Sequence, residues 1–421
     1  MPPFALLRNP VRRYAWGSPT AIPALTGTAP DGTPQAELWL GAHPSAPSLL
    51  LGDDGPRPLD ELIAADPQGL LGADTVRRFG PELPFLFKVL AADRALSLQV
   101  HPTRAQAEAG YAAEQARGVP PDAPERVFKD RGHKPELLCA LGDFEALCGF
   151  RPTAGSARLL DALGVLPHWG TALRTGPAES VLPGLLRAGL AADGSELAAV
   201  TAALRRTAAG GGPYAASCAA YARLADEYPG DRGLLPALLL HHVRLTAGQA
   251  LYLDAGVPHA YLRGVGVELM ANSDNVLRCG LTPKHVDVDG LLAVTSFRPG
   301  EPGVLAPRPA GGGAEEEYPS PAEEFRLSRL RPGAADLRVD LPGPQILLCV
   351  AGRARLRAAD GSALALPAGA SAYLPPGAGP VALTGPGAEL FRATTGQPRP
   401  TAGHPPRAAA QARVGWPNNR S

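Results

Sequence analysis

The chain has 421 residues with 40 basic and 40 acidic side chains, so its net charge is zero. That length allows two or three domains with a sizeable core, and no segment holds the basic surplus that nucleic acid or an anionic membrane would require of a partner. No apolar run reaches membrane-spanning length or resembles a secretory leader, and the cysteines (Cys139, Cys148, Cys218, Cys279, Cys349) are odd in number and scattered, so the expected setting is a reducing cytoplasm.

Gly (49) and Pro (47) are abundant, which implies many turns and a mainly β protein. Residues 1–153 read as short strands and loops. Two runs, LPFLFKVL (83–90) and LSLQV (96–100), have the apolar character of buried strands. Residues 154–233 form an expected helical insertion, with Ala/Leu runs of helical spacing interrupted by Gly210-Gly211-Gly212-Pro213. That GGGP run lacks the strand and helix that flank a nucleotide loop, and reads as a linker. Strand patterns resume over residues 234–301. A Pro/Gly/Glu-rich linker is expected at 302–317, a final β unit at 318–396, and a disordered tail at 397–421.

Only four of the 40 basic residues are lysine: Lys88, Lys129, Lys134 and Lys284. The two cations differ in shape and hydration, so lysines kept in an Arg-rich chain mark places that reject a guanidinium.

An internal repeat relates residues 245–269 to residues 366–390, with 11 identities in 25. Matched pairs include Gly248/Gly369, Tyr252/Tyr373, Gly256/Gly377, Gly264/Gly385 and Glu268/Glu389. Strands alternate with Gly turns, as in a hairpin unit of an antiparallel barrel used twice. His259 corresponds to Pro380, so one barrel is expected to be active and the other structural.

Three segments carry metal-capable side chains. In LSLQVH, alternation puts Ser97, Gln99 and His101 on one face of a strand. In KDRGHKPE, an extended chain puts Lys134 and Glu136 on one face and His133 on the other. In GVPH, Pro258 stiffens the chain before His259. Two imidazoles, a carboxylate and an amide make a reasonable zinc site with a position left open. A fourth segment, residues 268–285, gathers Glu268, Asp274, Arg278 and Lys284, a mixture suited to an anionic substrate that undergoes proton transfer. Of the remaining histidines, His43, His168, His241, His242 and His404 have no partner identifiable in sequence and are read as structural.

Together these segments resemble the type I phosphomannose isomerase family. The resemblance is carried by Tyr14-Ala15-Trp16-Gly17-Ser18, by residues 36–44 (AELWLGAHP) and 96–102, by Asp130 with residues 133–136, by Gly149-Phe150-Arg151-Pro152 and by residues 256–284. It implies two cupin-like (jelly-roll) barrels with an inserted α-helical domain. Residues 1–153 and 234–301 would form the catalytic barrel, and the C-terminal barrel would lack a metal site. It implies one Zn2+ per chain, held by Gln99, His101, Glu136 and His259. Ser97, Lys88, Lys284 and Tyr261 would contact the substrate, and Arg278, Glu268, Lys134, Asp274 and His133 would serve the chemistry.

The implied reaction interconverts mannose 6-phosphate and fructose 6-phosphate through a cis-enediol(ate), linking glycolysis to mannose and GDP-mannose metabolism. Glu268 is the first choice as base, Asp274 or a relay through Lys134 the second, and His133 the acid for ring opening. Arg278 would offset developing negative charge. The expected partner is a small sugar phosphate, and the expected state a monomer. A cupin dioxygenase would carry a His-x-His pair on iron where this chain has Gln99-Val100-His101. A storage cupin would not need zinc beside carboxylates.

Overall fold

The computed structural model describes residues 2–310, 313–339, 342–377 and 379–397. The segment expected to be a disordered tail lies outside the described residues from 398 onward.

The molecule is mainly β, built on antiparallel sheets. The strand Phe85–Ala92 is buried at every position, which explains its unbroken apolar sequence with Lys88 as the one charged member. It pairs on one side with Glu37–Leu40 and on the other with His259–Ala271, which in turn pairs with Glu136–Phe150. Leu98–Val100 and Leu277–Gly280 pair with each other, and His259 lies opposite Gln99. Residues 153–237 hold the helices Thr153–Leu163, Pro167–Thr175, Ala178–Ala191, Gly194–Gly210, Ala215–Glu227 and Leu234–Ala237. Their shared core includes Trp169, Tyr221 and a set of buried leucines.

Two sequence expectations change in the structure. The stretch read as a linker over 302–317 contains strands Arg308–Ala310 and Glu315–Glu317, which add to the strand Arg326–Leu330. Its glutamates are strand residues because Glu315 and Glu316 pair with Arg392 and Arg329. The boundary drawn between residues 1–153 and 318–396 is also crossed by backbone hydrogen bonds. Ala5–Arg8 pairs with Ser371–Leu374 on one side and with Leu49–Gly52 on the other, so the N-terminal strand belongs to the sheet of the C-terminal unit.

The repeat has a backbone counterpart. Gly248 and Gly369 have φ of 86° and 82°, and Gly256 and Gly377 have 80° and 76°. These left-handed values favour glycine. Gly248 N–H donates to the Ala140 carbonyl at 2.8 Å, and Gly369 N–H to the Cys349 carbonyl at 2.8 Å. The two hairpins are therefore held in the same way on two different strands, Glu136–Phe150 and Gln345–Ala351.

Candidate active site

Sheet register brings the polar side chains into two cross-strand rows. In one, Gln99 stands between His259 and Arg278. In the other, Lys88 stands between Trp39 and Glu268. Neighbours directly across a sheet are close enough for their side chains to interact.

The first row leads into a candidate metal centre. His101, Glu136 and His259 are all buried, and one potential ligand atom from each lies within 4.8 Å of the others. His101 Nε2 is 3.3 Å from Glu136 Oε1, and His259 Nε2 is 3.4 Å from Glu136 Oε2. The Gln99 amide is 3.3 Å from His259 Nε2. Both rings are fixed from behind by backbone carbonyls: His101 Nδ1 sits 2.7 Å from the Asn275 carbonyl, and His259 Nδ1 2.9 Å from that of Val257. Donation from Nδ1–H leaves each Nε2 lone pair facing the cluster, the tautomer a metal ligand requires. His101 Nε2 and Glu136 Oε2 are nonetheless buried without a hydrogen-bond partner. Burial of such atoms is costly unless something satisfies them, and a divalent cation bound by this donor set would do so.

The electrostatics agree. Burial pushes the His101 imidazole down to about 4, so the ring is neutral at physiological pH. Burial alone would raise the Glu136 carboxyl, but Lys134 and His101 outweigh it and hold the group well below the usual range. Lys134 reaches Glu136 Oε1 at 3.2 Å, on the strand face that alternation assigns to both.

The same alternation takes His133 elsewhere. Its Nε2 lies 2.7 Å from Glu324 Oε1, a carboxylate that also receives Arg104 Nη2 at 2.8 Å. His133 therefore makes a contact with the C-terminal unit.

The second row is a buried ion cluster. Lys88 Nζ lies 3.2 Å from Glu268 Oε2 and 3.5 Å from Glu37 Oε1. Trp39 Nε1 donates to Glu37 Oε2 at 2.7 Å. Burial favours a neutral lysine here, but Glu37, Glu268 and Glu136 overcome it and raise the ammonium above its usual value. Glu268 is raised, first by burial and against the pull of Lys88. Tyr261 is almost wholly buried, edge-on to Phe144 and beside His259, and burial with the neighbouring Glu268 carboxylate raises its hydroxyl well above the usual value. Tyr261, Lys88 and Glu268 are all buried, and none of the three lines the wall of the cleft that opens over these rows.

A cleft of about 840 Å³ opens over these rows, lined among others by Ser97, Gln99, Lys134, Asp274, Arg278 and Lys284. Arg12, Arg13, Arg94 and Lys129 also border it, so cations dominate its wall. No carboxylate lies within ion-pair distance of Arg278 or Lys284 among the described residues. Burial lowers the Arg278 guanidinium, and it also lowers the Lys284 amine, with Arg278 and Lys129 adding to the effect. An unneutralised cation pair of this kind attracts a dianion. Asp274 is held below its usual pKa chiefly by His43, whose Nε2 is 3.6 Å away.

Sequence reading missed several of these groups. His43 had no visible partner because Asp274 is distant in the chain. Glu37 and Trp39 alternate on one strand face, a signal that was available. Asn275 had no such signal. Its side chain accepts from Lys129 N at 2.7 Å and Asp130 N at 3.2 Å. It donates to the Asp130 and Gly132 carbonyls at 2.9 and 2.8 Å.

Comparison with known proteins places the chain in a family. A model of the phosphomannose isomerase type I catalytic domain matches residues 5–153. The mannose-6-phosphate isomerase of Salmonella typhimurium is 41% identical over 387 residues, covering 90% of this chain and 97% of that protein. The protein of the same name from Schizosaccharomyces pombe is 31% identical over 397 residues, covering 86% and 92%. Among solved structures, a phosphomannose isomerase variant from Salmonella typhimurium has a TM-score of 0.87 at 38% identity, covering 94% of this chain and 100% of that one. A zinc-bound mannose 6-phosphate isomerase gives 0.86 at the same identity and coverage. Near-complete relatives above 40% identity, together with the match to the type I catalytic-domain model, show that this chain belongs to the type I phosphomannose isomerase family of enzymes.

Proposed function

We propose that the chain is a zinc-dependent aldose–ketose isomerase that interconverts D-mannose 6-phosphate and D-fructose 6-phosphate, joining glycolysis to mannose and GDP-mannose metabolism. The observation that carries this reading is the buried cluster with unpartnered His101 Nε2 and Glu136 Oε2 beneath a cleft walled by cations. Held by Gln99, His101, Glu136 and His259, one zinc ion per chain would supply Lewis-acid stabilisation of charge on sugar oxygens. Rotation of the Gln99 amide by half a turn presents Oε1 for that purpose.

The remaining steps belong to the protein. Ser97, Arg278 and Lys284 bind the phosphate, away from the reacting carbons, and position the open-chain sugar. Glu268 takes the C2 proton and returns it to C1. Its raised pKa suits a base that must also release a proton, whereas Asp274 is lowered and less suited. Lys88, 3.2 Å from Glu268, fixes the carboxylate. Lys134 lies over Glu136 and offers a cation to the developing enediolate. His133 and Tyr261 take no direct part. The two antiparallel β units act as cupin-like barrels, the first catalytic and the second structural, in a monomeric protein.

The test couples conversion of mannose 6-phosphate to detection of fructose 6-phosphate, before and after chelation. Loss of activity on chelation and its return with zinc are expected. No turnover by zinc-loaded protein would overturn the substrate assignment.

A further inference from the structure

The helical segment contributes no metal ligand and none of the groups assigned to substrate above. Its exit, residues 227–233, nevertheless touches both sides of the anion-binding end of the cleft. On one side, Glu227 Oε2 accepts from Ala95 N at 2.7 Å, and the Glu227 carbonyl accepts from Arg94 Nη2 at 2.7 Å. The Tyr228 hydroxyl donates to the Ala95 carbonyl at 2.5 Å. Ala95 stands two residues before Ser97, and Tyr228 itself lines the cleft.

On the other side, Asp231 bridges two backbones. Its Oδ1 accepts from Gly233 N at 2.8 Å, and its Oδ2 from Thr282 N at 3.0 Å. The Thr282 hydroxyl then accepts from Lys284 N at 3.1 Å. Beside this bridge, Gly233 and Gly280 meet with no room for a side chain. A Cβ on Gly280 would fall 2.4 Å from Gly233 Cα, and Gly280 has φ of +118°. Gly280 closes the strand that carries Arg278. The helical insertion therefore locks onto the short path joining Arg278 to Lys284.

We propose that Asp231 is a positioning residue for phosphate recognition, through which the helical insertion fixes the turn bearing Lys284. The inference rests on the assignment of Arg278 and Lys284 to the phosphate. The core around Trp169 and Tyr221 runs on into Leu277, Cys279 and Leu281, so apolar packing seats the insertion on this strand while Asp231 supplies the polar link to Thr282 N.

The experiment uses the full zinc-loaded chain with Asp231→Ala and Asp231→Asn, measuring kcat, KM for mannose 6-phosphate, competitive inhibition by inorganic phosphate, zinc content and thermal midpoint. Asp231→Ala is expected to raise KM and the phosphate inhibition constant together by about tenfold, a loss typical of a misplaced binding group. The same variant should change kcat by no more than about threefold and keep its zinc. Asp231→Asn retains one acceptor and should show a smaller change in the same direction, which also covers failure of the alanine variant to fold. A lower thermal midpoint with both constants unchanged would overturn the proposal. Wild-type turnover without phosphate inhibition would overturn the phosphate-end assignment, and this inference with it.

Discussion

Replacing Asn275 by alanine tests how the candidate metal centre is held. The side-chain amide makes five hydrogen bonds to residues 129–132, at 2.7 to 3.2 Å. Its own carbonyl receives His101 Nδ1 at 2.7 Å. One residue thus ties the loop leading to Lys134 and Glu136 to the ring of a second ligand. At about 1 kcal/mol net per hydrogen bond, with water replacing some of them in this partly exposed loop, the substitution should destabilise the protein by about 2–4 kcal/mol. Loosening a group that orients a ligand typically weakens metal binding by about 10- to 100-fold. The zinc dissociation constant, measured in competition with a chromophoric chelator, should rise by that factor. A cobalt-substituted sample should show an altered absorption envelope, because His101 is no longer held in one orientation. A variant with the expected loss of stability and an unchanged zinc constant would refute the reasoning, since the amide would then support the loop without supporting the centre.

Other outcomes follow from the buried groups. Lys88→Met would leave Glu37 and Glu268 facing each other without their cation and should destabilise by about 3–5 kcal/mol at pH 7. Adding Glu268→Gln should recover much of that loss in urea unfolding; no recovery would mean that the cost lies in packing. Cys139 and Cys148 are pushed up to about 12 by burial, against about 8.5 for an exposed thiol. Native protein thus keeps protons that unfolded chain releases, so their contribution is full below pH 8.5 and declines as pH rises toward 12. The urea midpoint should fall between pH 9 and 11, by less in Cys148→Ala. All five cysteines are buried, so a disulfide reagent at pH 8 should label them only after unfolding.

Much of the metal centre was legible in the sequence because two-residue periodicity is a local property. It placed Gln99 with His101 and Lys134 with Glu136, and it separated His133 from both. What it could not supply was the far side of each contact. His133, expected to act in catalysis, meets Glu324, which lies almost two hundred residues away and so could not be read from local periodicity. Lys88 was readable as unusual but not as the centre of an ion cluster, since Glu37 and Glu268 reach it from two different strands. The linker expected at 302–317 became strand because its glutamates meet arginines of the C-terminal unit. In each case the deciding partner came from a distant part of the chain.

The duplicated hairpin shows how the two units differ in the groups they carry at equivalent positions. Glu136 and Gln345 each open a strand and lie opposite Leu253 and Leu374 respectively, which are equivalent leucines of the repeat. A carboxylate in the first unit therefore corresponds to an amide in the second, and His259 corresponds to Pro380. The ion pair of Lys88 with Glu268, 3.2 Å apart and buried, also has a counterpart in Arg331 with Glu389, 3.4 Å apart but with the arginine half exposed. Gln345 is 2% exposed and donates to the Val339 carbonyl at 2.9 Å. Gln345→Glu restores the carboxylate but supplies no imidazole or ammonium beside it. It also replaces a donor with an acceptor against that carbonyl. The buried acid must stay protonated or destabilise the fold, so its native pKa should lie above the unfolded value of about 4.3. Because the native state then holds the proton longer, the variant should be close to wild type below pH 4.3 and lose stability as pH rises. Loss of the donor and burial of the acid should together cost about 3 kcal/mol at pH 8. Urea unfolding of both proteins from pH 4 to 8 measures the difference. A constant gap would show that only the hydrogen bond matters. No gap at pH 8 would show that the second unit can still accommodate a charged group, contrary to the structural role proposed for it.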